Sequence, residues 1–159
     1  MYFFVFLIAA FLESVSSSLD SDNSSSVFEG VKLALRCDNN QHINSHGGKA
    51  QLSCVSPRIS HWETFTVVHI AGHNVVSIKA VDSFFVNANW VESGWILLSN
   101  GVTTSPIAQF DQYTNDDATV SFKCHNNLFA SRNAETNLVA CTAPEIDANS
   151  KFTPVPVPE

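Results

Sequence analysis

Three segments of this chain carry the same order of apolar and polar positions. Leu33-Ala34-Leu35-Arg36-Cys37, Val76-Ser77-Ile78-Lys79-Ala80 and Val120-Ser121-Phe122-Lys123-Cys124 each read apolar, small, apolar, basic, small, and they begin 43 and 44 residues apart. Alternation at period two over five or six residues is the signature of a half-buried strand. It predicts strands over Val31–Arg36, Val75–Ala80 and Thr119–Cys124. Turn-forming residues follow each: Asp38-Asn39-Asn40, Asp82-Ser83 and His125-Asn126-Asn127.

The rest of each unit repeats in the same order. Second strands are expected at His42–Asn44, Phe84–Asn87 and Leu128–Ser131. Third strands are expected at Gln51–Val55, Trp95–Ser99 and Leu138–Cys141, and fourth strands at Glu63–Val68, Gln109–Tyr113 and Lys151–Val155. Asn115-Asp116-Asp117 reads as the turn between the second and third units. No segment shows a long amphipathic helical pattern. Three four-stranded units of about 44 residues predict an all-β fold of twelve strands, the arithmetic of a β-trefoil; a propeller would need more blades. A two-sheet sandwich is the alternative.

The cysteines follow the same repeat. Cys37 and Cys54 are 17 apart, as are Cys124 and Cys141. Four cysteines allow three pairings. The matched spacing favours one bridge in the first unit, Cys37–Cys54, and one in the third, Cys124–Cys141. The middle unit carries Ala80 at the first position and Asn100 near the second. Four buried thiols are the alternative. Zinc is disfavoured, because no pair has two-residue spacing.

The N-terminus sets the compartment. Tyr2–Leu12 is an unbroken apolar run followed by Glu13 and the small residues Ser14–Ser18, the layout of a secretory signal cut near residue 18. The run is too short to span a bilayer comfortably, although a signal anchor is the rival reading. Residues 19–29 form a polar leader, low in complexity, with the glycosylation sequon at Asn23. The folded domain is expected over 30–155, with a proline-rich tail at 156–159. Proline removes ladder donors, so only the first residues of that end are expected to pair, as an edge strand.

Charge narrows the partners. Removing Glu13 with the leader leaves 8 basic against 14 acidic residues, a net charge near −6. Such a chain lacks the clustered Lys and Arg that nucleic acid or anionic lipid requires. No nucleic-acid partner and no stable membrane insertion are expected. Twelve phenylalanines against one methionine suit a β-rich core.

His61-Trp62-Glu63-Thr64-Phe65-Thr66-Val67-Val68 resembles the Trp-Glu-x-Phe strand that closes repeats in fascin-like β-trefoil domains. Val76–Ala80 with Ser83–Ala88, and Val120–Cys124 with Asn127–Ser131, are similar to that family's basic strand, tight turn and aromatic strand. The resemblance covers about residues 30–155 and implies the fold. Actin bundling in that family rests on four cytoplasmic trefoils, and it is not implied for one trefoil behind an export signal. The bridge spacing is similar to that of ricin-type lectin trefoils. Their Gln-x-Trp is missing: His61-Trp62, Gln109-Phe110 and Lys151-Phe152 stand there. Their loop aspartate has one counterpart in a cysteine-bearing unit, Asp38.

Candidate chemistry is sparse. Arg36, Lys79 and Lys123 could ring an anion or simply face solvent. Trp62 fits repeat packing. Asn87, Asn89, Trp90, Glu92 and Trp95 supply amides, a carboxylate and rings, the set a sugar site requires, on what reads as a long loop. Together with Asp38 they are the candidate ligand-binding residues. His42/His46 and His69/His73 are spaced by four but lie near turns, so no metal and no cofactor is expected. No nucleophile elbow, phosphate loop or paired acid and base occurs. The reading is a secreted, non-enzymatic, lectin-like trefoil that binds a glycan. Alternatives are an extracellular protein ligand, as for a cytokine-like or protease-inhibitor trefoil using the polar Asn39–Lys49 segment, or actin by fascin analogy. The pattern specifies no oligomeric state.

Overall fold

The computed structural model describes residues 30–70 and 75–158. The leader segments and the Asn23 sequon lie outside them. Twelve strands occur among the described residues: β1 (Val31–Arg36), β2 (His42–Asn44), β3 (Ser53–Ser56), β4 (Phe65–His69), β5 (Val75–Ala80), β6 (Phe85–Val91), β7 (Gly94–Gly101), β8 (Phe110–Thr114), β9 (Val120–Lys123), β10 (Phe129–Arg132), β11 (Val139–Ala143) and β12 (Thr153–Pro156). Each unit contributes four.

Strands β1, β4, β5, β8, β9 and β12 pair in that order and return to β1, closing a six-stranded barrel. Closure removes the open edge that a sheet would otherwise expose. The hairpins β2–β3, β6–β7 and β10–β11 meet around the pseudo-threefold axis. Leu52 N–H donates to the Leu97 carbonyl (2.9 Å), Val139 N–H donates to the Leu52 carbonyl (2.8 Å), and Ala140 faces Ile96.

The core is built in threes. Leu35/Ile78/Phe122, Ile43/Val86/Ala130, Leu52/Leu97/Val139 and Phe65/Phe110/Phe152 surround a central void of about 20 Å³. Its walls are apolar and offer no hydrogen-bond partner to a water. Ser77 and Ser121 are fully buried in equivalent strands. Their hydroxyls donate to the carbonyls of Ala108 and Ser150, each at 2.8 Å. Ala34 fills that place in the first unit.

The β1–β2 turn recurs in all three units, with its amide chemistry kept in the first and third. Asn40, Ser83 and Asn127 adopt φ of 63°, 73° and 64°, the left-handed region that asparagine tolerates best among residues with a Cβ. Asn39 and Asn126 donate their amides to the carbonyls of Cys54 and Cys141. Asp82 in the middle unit has no such donor. Both expected disulfides are present, Cys37–Cys54 and Cys124–Cys141. Register aligns Cys54, Ser99 and Cys141 opposite Ile43, Val86 and Ala130. Ser99, and not Asn100, therefore stands where the middle unit lacks its second cysteine.

Short 3-10 turns, His61–Glu63, Pro106–Ala108 and Ala148–Ser150, precede the fourth strands. They push strand starts beyond Glu63, Gln109 and Lys151. The proline-rich end also differs from the expected edge. β12 pairs with β1 from Thr153 to Pro156. Phe152 exchanges both backbone bonds with Val120 of β9, so residues of the same parity, Pro154 and Pro156, face β9. Their missing donors stop that ladder after one pair and leave the β1 side intact.

Candidate functional site

The segment from Phe85 to Gly101 is a β-ribbon, and Trp90–Trp95 forms its tip, not the long loop expected from the sequence. Its strands are joined by a two-residue turn, Glu92-Ser93. Gly94 has φ of +117° with open space around it. The backbone conformation is what requires glycine there, not crowding. Trp90 and Trp95 face each other across the ribbon, with centroids 5.5 Å apart and planes at 62°. Such edge-on pairing is the favourable arrangement for aromatic rings. Trp95 packs against the core. Trp90 is 66% exposed, the most exposed aromatic ring among the described residues.

Strand alternation divides the candidate residues. Val86, Ala88 and Trp90 share the face that continues into the core. Asn87 and Asn89 lie on the opposite face. Asn87 is buried, its amide packed where a Cβ on Gly101 would sit 2.3 Å from Oδ1. Its Nδ2 reaches Asn100 Oδ1 at 3.4 Å, and Asn89 Nδ2 donates to the Asn87 carbonyl at 3.2 Å. The structure thus brings together Trp90 and Trp95 with Glu92 exposed at the turn beside them, and turns the two amides away from the rings.

Asp38 is engaged elsewhere. Arg132 donates from Nε to Oδ1 (2.6 Å) and from Nη2 to Oδ2 (2.8 Å). The guanidinium is buried and also reaches Asn137 Oδ1 at 2.9 Å. Its hydrogen bonds hold the Asp38 carboxyl below the usual aspartate range. Each carboxylate oxygen accepts one guanidinium bond, so Asp38 ties the first unit to the third.

The remaining candidates are structural or separate. Arg36, Lys79 and Lys123 point outward on three flanks of the barrel and do not converge; Lys79 and Lys123 lie over the rings of Phe85 and Phe129. Trp62 is 40% exposed and covers Gly47. It is not core. Beside it Glu63 is buried, with no ion pair to it among the described residues. Burial pushes its carboxyl up, but hydrogen bonds from Ser56 and Ser60 outweigh this and lower it. Asn44 also donates to it, at 2.7 Å. Position spacing alone did not reveal this cluster; the reciprocal Ser60/Glu63 capping pattern could have. His42 and His46 bond to Ser56 O and Ser53 Oγ. His73 lies outside the described residues, and no cluster of metal-binding side chains occurs among them. The Asn39–Lys49 segment contains β2 and a 3-10 turn, with His42, Ile43 and Ser45 buried and Asn40 and Lys49 exposed.

The same architecture occurs in solved structures. The designed threefold-symmetric protein ThreeFoil superposes with a TM-score of 0.69, covering 79% of this chain and 99% of its own, at 11% identity. The Polyporus squamosus lectin, solved with a human-type influenza-binding epitope, gives 0.66 over 81% of this chain at 10% identity. The GlcNAcα1-4Gal-releasing endo-β-galactosidase of Clostridium perfringens gives 0.66 over 80% at 11% identity. The chain is a β-trefoil. It spans 50% of the lectin and 32% of the enzyme. No family model matches its sequence, and no curated protein is similar to it in sequence.

Proposed function

We propose that this protein is a secreted, non-enzymatic carbohydrate-binding trefoil that contacts glycan through the Trp90 face of the β6–β7 ribbon. The observation that carries this reading is the two-thirds-exposed Trp90 ring at a ribbon tip, held in place by the edge of Trp95. A rigid, flat indole offers a stacking surface for the apolar face of a sugar at small entropic cost. The exposed Glu92 carboxylate beside it can accept from hydroxyls. Two fold neighbours support the class: one is a lectin, and one acts on a galactoside. Two disulfides suit an oxidising compartment.

Retention on immobilised carbohydrate (mucin, chitin and galactosyl supports) tests the reading. The parent protein is expected to be retarded on at least one support, and Trp90→Ala to elute with the void while keeping its thermal midpoint. Equal retention of parent and variant would remove the tip from the function.

A further inference from the structure

A second recess lies on the flank where the second unit meets the third. It encloses about 240 Å³ between β8, the Pro106–Ala108 turn and the β9–β10 turn. Asp111 and Lys123 face each other across its wall, directly paired between β8 and β9. Opposite charges at such positions ordinarily close on one another. Here the Lys123 ammonium stands over the Phe129 ring, 5.8 Å from its centroid. The ion pairs among the described residues are Arg132–Asp38 and Lys151–Asp117, so Asp111 and Lys123 both remain open to the recess. Gln109 commits its Nε2 to the Thr104 carbonyl at 2.8 Å, which leaves its oxygen free. His125 and Asn127 complete the polar rim.

Pseudo-symmetry shows that this arrangement is local. At the equivalent junctions Lys79 faces Thr66, and Arg36 faces Thr153. A carboxylate opposes the base only here. The core positions recur in all three units, whereas this charge pairing is confined to one flank of the surface, where function is grafted onto a fold.

We infer that this recess is a separate subsite for one neutral sugar ring, distinct from the Trp90 tip. Its ligand class rests on the glycan reading above. Two properties select it. The wall carries one positive and one negative charge, so an anion or a cation would satisfy one and oppose the other. A ring with adjacent hydroxyls satisfies both, donating to Asp111 and accepting from Lys123. The recess, at about 240 Å³, suits a single monosaccharide unit and not a longer glycan.

The test is an amide-resonance titration of the whole protein with free neutral monosaccharides (galactose, glucose, mannose and N-acetylglucosamine) at millimolar concentration. Saturable shifts at Asp111 and at Lys123–Asn127 are expected for at least one sugar. Affinity there should fall about tenfold or more in Asp111→Ala and in Lys123→Met, since each removes a charge-assisted bond. Methionine keeps an apolar stem over Phe129, and Asp111 is exposed, so neither change threatens folding; unchanged thermal midpoints verify this. Shifts confined to Glu92–Trp95 would overturn the subsite and leave the tip reading standing. Shifts at the recess that survive Asp111→Ala would overturn it too. A response to free glycine but to no sugar would overturn the ligand class. No response anywhere would overturn both proposals.

Discussion

Replacing Asp38 by alanine should destabilise the domain more than any other exposed-turn substitution. The pair it belongs to joins the β1–β2 turn to β10, 94 residues away in sequence. Arg132 is 9% exposed and Asp38 25%. Without the carboxylate, the guanidinium keeps only neutral amide partners, Asn137 at 2.9 Å and Asn149 at 3.4 Å. Removing one member of a buried ion pair costs about 3–5 kcal/mol. Asp38 is partly wet, which places the cost at the lower end, about 3 kcal/mol. For a domain of this size that lowers the thermal midpoint by roughly 12 °C. The double change Asp38→Leu with Arg132→Met should recover most of the loss, because no charge is stranded. The pH dependence has a definite sign. A carboxyl with a depressed folded-state pKa contributes stability that is present above its unfolded value, and that contribution disappears as pH falls below about 4. Chemical denaturation of parent and variants at pH 7 and pH 3 measures both effects. A loss under about 1 kcal/mol at pH 7, with no narrowing of the gap at pH 3, would show a solvent-screened pair and refute the reasoning.

Reducing either disulfide releases a loop between cysteines 17 residues apart and should cost about 3 kcal/mol, read by calorimetry with and without reductant. Glu63→Ala removes the acceptor of bonds from Ser56, Ser60 and Asn44 and should cost about 2–3 kcal/mol in urea unfolding. Ser77→Ala breaks a buried bond and should cost about 1–2 kcal/mol in the same assay. Gly48→Ala should lower the midpoint measurably, since its φ is +73° and a Cβ would meet the Ser99 carbonyl at 2.4 Å.

The barrel was legible in the sequence because large apolar residues line one face of its strands and small or basic residues the other, so period two survives in the residue order even where the small residues are buried. Val31–Arg36, His42–Asn44 and Val75–Ala80 agree with the observed strands residue for residue. The matched cysteine spacing was equally direct. Strands are legible at both ends of the β6–β7 ribbon, but its tip reads as a loop because Glu92, Ser93 and Gly94 suggest a break. The alternation of Val86, Ala88 and Trp90 against Asn87 and Asn89 was already present, and it would have placed the amides and the rings on opposite faces. The Asp38–Arg132 tie could not be read locally, since nothing in either segment points to the other. The recess likewise gathers residues from three separated stretches, around 75, 106–111 and 123–127. Its meaning emerges only when register sets Asp111 against Lys123.

The most direct measurement is a glycan array probed with the non-reduced protein and with Trp90→Ala in parallel. Saturable binding to a defined set of glycans, lost in the variant while its fold is unchanged, is the predicted result. A blank array for the parent protein, or identical profiles for both, would contradict carbohydrate recognition at the ribbon tip.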